Sequence, residues 1–409
     1  MDPRAELRRE PPADLSGVGS DEALVDRIRD EIRRNGPMPF ARFMELALYD
    51  PEGGYYRAEA ARPGRAGDFL TAPELHPIFG ASIAVALEEV WVRLRRPAPF
   101  VVRESGAGTG TLAVAVLDEL TRAESPLRAA VRYEAVDVDP RRIEAFATRL
   151  TAAGHGDILG TTDSAAAVDG VILGNEILDA LPVHRVRRRG GSLREIAVDL
   201  DADGELREIE IEPSMPALAD RLAAEGIELV EGQTAEVGLA ADAWIATAAG
   251  QLRRGLLVLI DYGAPAAELY DPVRRRDGTL RAYVRHQVHD DPYRHVGRQD
   301  LTAHVDVTAI ERAAHGAGLT TVGVTTQAEA LMGLGIEDRL RRIQADPATT
   351  FEDYALVRAA LMRLLDPAAM GRFRVMAFGR DWPPDPDDRP LRMFSFRLPA
   401  GRRDARGAR

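Results

Sequence analysis

The residues best placed to do chemistry surround a string of alternating glycines. In "VVRESGAGTGTLAVAVL", residues 101–117, an apolar strand runs into Gly106, Gly108 and Gly110, and an apolar-periodic helix follows. Glu104 stands just before the turn. Glycine lets a backbone approach a ligand closely and adopt positive φ angles. A strand, a glycine turn and a helix in this order therefore predict a nucleotide or nucleoside site.

Three ligands compete for this turn. A phosphate-binding loop needs a lysine after its last glycine, and all 53 basic residues of this chain are arginine. A dinucleotide fingerprint needs a third glycine at position 111, which is Thr111. The remaining acidic-x-G-x-G-x-G pattern is typical of an S-adenosylmethionine (SAM) turn. A purely structural tight turn is the alternative.

Further residues extend the predicted SAM site. Asp137 ends the next predicted strand and is expected to accept hydrogen bonds from the ribose hydroxyls. Glu104 is expected to favour the positive charges of SAM. Leu112, at the start of the helix, and Val138, beside Asp137, are assigned to the same cofactor site.

A second polar group follows the predicted strand "VDGVIL". Asn175 and Glu176 lie at its carboxyl end, where open α/β sheets bind ligands, and Asp179 is three residues further on. These three are predicted to be catalytic, with Asn175 also contacting the cofactor. The alternative is that Asn175 caps a helical turn and Asp179 makes a surface hydrogen bond. Asp261 ends another core strand and is expected at the same edge.

The segment "GDFLTAPE" precedes a long amphipathic helix. Asp68 and Thr71 are assigned to the cofactor site, as part of a lid formed by the long aromatic loop 50–76. The alternative is a helix entry, in which Thr71 is the cap and Glu74 lies near the positive end of the helix.

Four of the eight histidines fall between residues 286 and 304. Their spacing matches no standard metal motif, so no metal is predicted. His304 and Asp306 are instead interpreted as a substrate-side pair, because a positioned His or Asp can accept the proton of a methyl acceptor.

The order of elements predicts an α/β fold. From residue 100, strands and helices alternate as βαβαβ, which implies a parallel sheet with right-handed crossovers. Gly190-Gly191 and Asp203-Gly204 mark an inserted antiparallel β segment. "RFRVMAFG" and "RMFSFRL" are expected to be the last strands. The predicted regions are a flexible arm (1–19), an N-terminal helical region with a lid loop (20–99), the first part of the core (100–183), an insertion (184–250), the second part of the core (251–399) with a substrate-side loop (264–306), and a flexible tail (400–409).

Composition limits the class of protein. The chain has 409 residues, no cysteine and a formal net charge of −12. The absence of cysteine excludes disulfides and thiol nucleophiles, and the absence of lysine excludes lysine Schiff bases. The net charge argues against a nucleic-acid-binding surface as the main function, and no apolar run is long enough to span a membrane. A cytoplasmic protein is expected, and the arginine and alanine bias suggests a bacterial source.

Several blocks together resemble the MidA-like class I methyltransferase family over residues 20–378. The blocks are "GPMPFARFMELALYDPEGGYY", "GDFLTAPELHPIFG", "ESGAGTGTLA", "GNEILDALPVHR", "LIDYG" and "GTLRAYVRHQVHDDPYRHVGRQDLTAHVD". The resemblance implies a Rossmann-like SAM methyltransferase core with an N-terminal helical extension and a family insertion. It also suggests arginine methylation of a protein, as in the mitochondrial branch. Ile177-Leu178 replaces the aromatic pair usual in the family.

The leading hypothesis is thus a SAM-dependent methyltransferase acting on an arginine of a protein partner. Glu176 and Asp179 would then hold and polarise the guanidinium. A small-molecule N- or O-methyltransferase is one alternative, and an assembly factor that binds SAM without turnover is another. A homodimer is considered; neither nucleic acid nor a membrane is expected as a partner.

Overall fold

The computed structural model describes residues 15, 17–57, 71–160 and 166–398. The α-helices of these ranges are α1 (Glu22–Asn35), α2 (Phe40–Tyr49), α3 (Ala72–Leu75), α4 (Ile78–Arg93), α5 (Thr111–Arg122), α6 (Leu127–Ala130), α7 (Pro140–Ala152), α8 (Ala217–Ala224), α9 (Leu239–Gly250), α10 (Ala266–Leu269), α11 (Val307–Gly316), α12 (Gln327–Gly333), α13 (Ile336–Ala345) and α14 (Phe351–Leu365). The strands are β1 (Met38–Pro39), β2 (Phe100–Ser105), β3 (Val131–Val136), β4 (Val168–Asn175), β5 (His184–Arg189), β6 (Ser192–Leu200), β7 (Leu206–Ile211), β8 (Thr234–Val237), β9 (Leu252–Asp261), β10 (Gly263–Ala264), β11 (Arg281–Val284), β12 (Gln287–His289), β13 (Asp300–Thr302), β14 (Val305–Asp306), β15 (Thr320–Thr326) and β16 (Arg374–Arg380).

A six-stranded sheet forms the centre of the molecule, in the order β15-β16-β9-β4-β2-β3. Strands β3, β2, β4 and β9 are parallel, whereas β16 and β15 are antiparallel additions. Helices α5 and α7 connect the first parallel strands, as the alternating pattern predicts. Since parallel strands end at the same edge, Ser105, Val136, Asn175 and Asp261 come together there.

Both faces of this sheet are covered, because its strands are apolar at successive positions. Leu173 and Val258 face a core shared with α4, α5 and α14. The alternate residues Ile172 and Leu257 face a second core with α9 and α11. The predicted α/β fold with a parallel sheet is confirmed.

The insertion forms a separate antiparallel sheet of β5, β6, β7 and β8, and it recruits β1 from the N-terminal region. Met38 and Pro39 pair with Val198 and Ala197 of β6. Helices α1 and α2 share a hydrophobic core with β6 and with residues between 280 and 303. The N-terminal region is therefore divided, since α1 and α2 pack with the insertion and α4 packs on the central sheet.

The expected last strand "RMFSFRL" is wrong. Residues Arg392–Phe394 form a 3-10 turn, and the edge strand next to β16 is β15. The side of β16 that faces away from β9 is already paired with β15. Phe394 is instead buried against Gly323, where an added Cβ would lie 2.6 Å from the ring. No helix in the described part of the chain is long and apolar enough to cross a membrane.

Candidate active site

The glycine turn between β2 and α5 is held by the neighbouring strand. The amides of Gly106 and Ala107 donate to the Val136 carbonyl at 2.7 and 3.3 Å. The Gly108 amide donates to Asp137 Oδ2 at 3.0 Å. Gly106, Gly108 and Gly110 have φ angles of +67°, +52° and +86°. These left-handed values favour glycine at all three positions.

The three glycines face different surroundings. A Cβ on Gly106 would lie 2.6 Å from Ile177 Cγ2, and a Cβ on Gly110 would lie 2.9 Å from the Phe146 ring. A Cβ on Gly108 would meet no heavy atom within 4 Å. Gly108 is thus the glycine whose α-carbon faces open space.

A cleft of about 320 Å³ lies over this turn, at the carboxyl edge of the sheet. Predicted site residues that line it are Thr71, Glu104, Gly106, Gly108, Leu112, Asp137, Val138, Asn175 and Glu176. Gly110 supports the turn from below as the N-cap of α5. Asp68 lies outside the described residues.

Asp137 and Val138 form one wall of the cleft. The Asp137 carboxylate accepts the amides of Gly108 and Asp139, both at 3.0 Å, and these bonds fix its orientation. Carboxylate oxygens have further lone pairs that can accept ribose hydroxyls. Val138 is 45% exposed and offers apolar area for a flat base. The buried Leu112 lies on the same lining.

Glu104 is almost fully buried at the end of β2. Its Oε2 accepts the Tyr133 hydroxyl at 2.6 Å. Burial raises the pKa of Glu104 to about 7; the Tyr133 hydrogen bond opposes this shift, and the nearby Asp137 charge adds to it. A cation in the cleft would favour its ionised form.

Glu176 follows β4 in a strained conformation, with φ of +52°. Its amide donates to the Ile260 carbonyl at 2.8 Å. Asp261 Oδ2 then accepts the amides of Ile177 and Leu178, at 3.1 and 2.8 Å. Asp261 therefore fixes the turn that presents Glu176. Positive φ at a bulky residue is frequent at functional sites.

The Glu176 side chain meets the segment before α4. Its Oε1 accepts the Ala72 amide and Asn175 Nδ2, both at 3.1 Å. Burial raises the pKa of Glu176 to about 8, with additional contributions from Asp179 and Glu74. Thr71 and Glu74 form a capping box at α3, so the predicted helix entry and the contact with the cleft occur together.

Asp179 lies behind the cleft lining and is buried. Burial raises its pKa to about 6, although the neighbouring Tyr262 hydroxyl lowers it. Among the described residues, no donor reaches Asp179 Oδ1 or Asn175 Oδ1, and both oxygens are buried. Buried acceptors without donors are costly, so a further donor near these two oxygens would stabilise this side of the site.

Tyrosines complete the acidic side of the site. Tyr49 and Tyr56 line the cleft and stack with centroids 5.5 Å apart. The Tyr56 hydroxyl donates to Asp300 Oδ1 at 2.9 Å, and the Tyr49 hydroxyl donates to the Ala180 carbonyl at 2.9 Å.

Four residues of the site were not predicted from the sequence: Tyr49, Arg142, Trp244 and Asp300. The first three line the cleft. The Arg142 guanidinium lies 5.8 Å from the centre of the Tyr56 ring. No sequence signal marks these positions, because tertiary packing of distant segments brings them to the cleft.

His304 and Asp306 are placed differently from the predicted substrate-side pair. Neither lines the cleft. Burial and three arginines lower the pKa of His304 to about 3, which makes it a weak base. Asp306 is the N-cap of α11, and its Oδ1 accepts the Ala309 amide at 3.1 Å. Its close neighbour is Glu225, whose pKa burial and Asp306 raise to about 8.

Of the other clustered histidines, His295 lies against the N-terminal region, at Val18. His289 and His295 are in edge contact, with centroids 5.8 Å apart. The Ser20 hydroxyl donates to the Arg294 carbonyl at 3.2 Å and accepts the Val296 amide at 3.1 Å. In the described ranges, no three His, Asp or Glu side chains are arranged to hold a metal ion.

The chain is similar to several known proteins. A family model described as an S-adenosyl-L-methionine-dependent methyltransferase matches residues 82–325. The Drosophila melanogaster protein arginine methyltransferase NDUFAF7 homolog, a mitochondrial protein, is 28% identical over 90% of this chain and 88% of its own length. Human NDUFAF7 is 27% identical over 78% and 74%. A Burkholderia thailandensis protein bound to S-adenosyl-homocysteine is 35% identical, with a TM-score of 0.83, over 91% of this chain and 95% of that one.

Proposed function

This chain belongs to the family of S-adenosyl-L-methionine-dependent methyltransferases, and from that premise we propose that its methyl acceptor is an arginine side chain of a protein. SAM is the cofactor. The acceptor is proposed because the relatives are named protein arginine methyltransferases.

The unpaired oxygens beside the cleft are the observation that carries the proposal. Asp179 Oδ1 and Asn175 Oδ1 are buried acceptors that no described residue satisfies. Carboxyls Glu176, Asp179 and Asp261 crowd together, and burial raises the pKa of each. A cation that carries several N–H donors would stabilise these crowded carboxyl groups. Guanidinium has five N–H donors in a planar fork, which suits two carboxyl groups and an amide.

We assign the cofactor half of the cleft to the glycine turn and Asp137. Gly108 permits the close approach, Asp137 accepts the ribose hydroxyls, and Val138 and Leu112 cover the base. Glu104 stabilises the positive charge of the ligand. When bound, SAM supplies the methyl group as an electrophile on its sulfonium.

We assign acceptor orientation and proton acceptance to Glu176, with Asp179 in support. Methyl transfer at a fixed nitrogen depends mainly on orientation, which paired carboxylates provide. The guanidinium nitrogen must lose one proton as it gains the methyl group. Burial raises the pKa of Glu176 to about 8, and the positive charges of the guanidinium and of SAM favour its ionised form, so that the carboxylate can take that proton.

Mass spectrometry tests the proposal. The purified protein, incubated with extract of its source cells and methyl-labelled SAM, is expected to label arginine side chains of a protein. Glu176→Gln should reduce this labelling, while Glu144→Gln, an exposed glutamate on α7, should not. Label found only on a small molecule would identify that compound as the acceptor. Tight SAM binding without any label would instead favour the assembly factor.

We further propose a bacterial source, supported by the use of arginine at every basic position and by the Burkholderia relative. Action in the cytoplasm and assembly as a homodimer stay predictions.

A further inference from the structure

Three arginines converge beside His304. Arg275 Nη2 lies 3.5 Å from His304 Nδ1. Arg281 and Arg372 are close enough that their repulsion adds to burial in lowering the pKa of Arg275. The arginines come from the loop before β11, from β11 itself and from the segment before β16. Separate parts of the chain thus place like charges together, which is unfavourable unless something compensates them.

Carboxylates of the chain compensate this cluster poorly. Within the described ranges, Arg275 and Arg372 form no ion pair with a carboxylate. The one carboxylate partner of Arg281 there is Asp290, at 3.4 Å, and the Asp290 side chain is 82% exposed. Burial and the two neighbouring arginines lower the pKa of Arg275 more than the attraction of Glu236 raises it. Arg187 on β5, by contrast, meets Glu210 at 2.9 Å.

The cluster adjoins the acidic half of the active site. The His304 ring meets the Tyr262 ring edge-on, with centroids 5.3 Å apart, and Tyr262 neighbours Asp179. Tyr283 lies between the two groups of charges. Its pKa is raised by burial and by Asp179 and Asp300, and it is lowered by Arg281 and Arg372. A positive group therefore stands beside the negative group assigned to the acceptor.

We propose that Arg275, Arg281 and Arg372 bind an acidic side chain that flanks the methylated arginine in the protein substrate. This inference rests on the proposed function, because it places the acceptor guanidinium at Glu176 and Asp179. Guanidinium groups bind carboxylates through paired, charge-assisted hydrogen bonds. Arg275, Tyr283 and His304 are only half-buried, and Arg372 is exposed, so a peptide can reach them.

Peptide kinetics test this selectivity. A set of arginine-centred peptides carries one Asp at each flanking position in turn, and a matched set carries Asn. For the wild-type protein, the best Asp peptide is expected to have a KM about tenfold below that of its Asn partner, with kcat within twofold, because the contact holds the substrate before and during transfer. Arg275→Gln and Arg372→Gln should remove the difference. Arg363→Gln, an exposed arginine on α14, is the matched control and should retain it.

A charge reversal gives a gain that misfolding cannot imitate. Arg275→Glu is expected to prefer a Lys over an Asp at the same peptide position. Methylation of all peptides with equal KM would overturn the acidic-flank inference and leave the arginine acceptor intact. If calorimetry with S-adenosyl-homocysteine present shows that no arginine peptide binds, and none is methylated, both the proposed function and this inference fail.

Discussion

The Glu176 carboxylate accepts a hydrogen bond from the Ala72 amide at 3.1 Å, although 104 positions separate the two residues. This bond joins the segment before α4 to the carboxyl edge of the central sheet. The bond holds Glu176 Oε1 against the backbone of that segment, and the Glu176 side chain lines the cleft. The fold thus holds Glu176 in one orientation, as the role proposed for it requires.

Glu176 and Asp137 should differ in kinetic role. Asp137→Ala is expected to raise the apparent SAM constant far more than it lowers kcat, because the ribose is held in the ground state and transition state alike. Glu176→Gln should cut kcat roughly a hundredfold and leave SAM affinity within a few-fold, since an acceptor-orienting group acts during transfer. Steady-state kinetics with calorimetry separates the two. If the Glu176→Gln protein keeps full turnover and loses SAM affinity, Glu176 binds the cofactor and does not orient the acceptor.

Gly108→Val should abolish SAM binding in a folded protein. The new side chain would project into the open space of the cleft, where the adenosine must approach. Backbone strain at positive φ adds roughly 1–2 kcal/mol. Gly154→Val is the matched control, because Gly154 also has positive φ, at +84°, and open space around its Cβ position. Calorimetry should show SAM binding in the control alone. Normal SAM affinity of the Gly108→Val protein would show that the cofactor binds elsewhere.

SAM affinity should depend on pH through Glu104. Burial raises the pKa of Glu104 to about 7, above its ordinary value, so the group is protonated below that pH. The sulfonium favours the carboxylate, and SAM must therefore displace a proton at low pH. The ratio of SAM to S-adenosyl-homocysteine affinity is expected to rise between pH 6 and pH 8, since the product has a neutral sulfur. Calorimetry across this range should show a flat ratio for Glu104→Gln; a slope that survives the substitution would assign the titration to another group.

Asp306→Ala should affect stability and spare catalysis. The substitution removes the N-cap of α11, which typically costs about 1 kcal/mol of the free energy of unfolding. Asp306→Asn keeps an acceptor oxygen for the Ala309 amide and should lose less. Denaturant unfolding measures both, and kcat should stay within twofold of wild type. A hundredfold loss of kcat in a stable Asp306→Asn protein would restore the proton-accepting role predicted from the sequence.

The proposed cofactor half of the site could be placed from the sequence because its residues are local. Glu104, Gly106, Gly108 and Leu112 lie on one strand, turn and helix, and Asp137 ends the next strand along the chain. Their positions follow from the βαβ geometry itself, in which neighbouring parallel strands end at one edge. Asn175 and Glu176 could be placed at that edge for the same reason.

The acceptor half depended on contacts between distant segments. The proximity of His304 to Asp306 in sequence suggested a pair, yet His304 packs on Tyr262 and Asp306 caps α11. Tyr56 reaches Asp300 across 244 positions, and the arginines beside His304 come from three separate segments. The sequence by itself determined the SAM turn and the parallel core, since period, glycine spacing and strand ends are local properties. Only the tertiary structure decided which charges meet at the acceptor side, because packing between the insertion, the N-terminal helices and the sheet sets those distances.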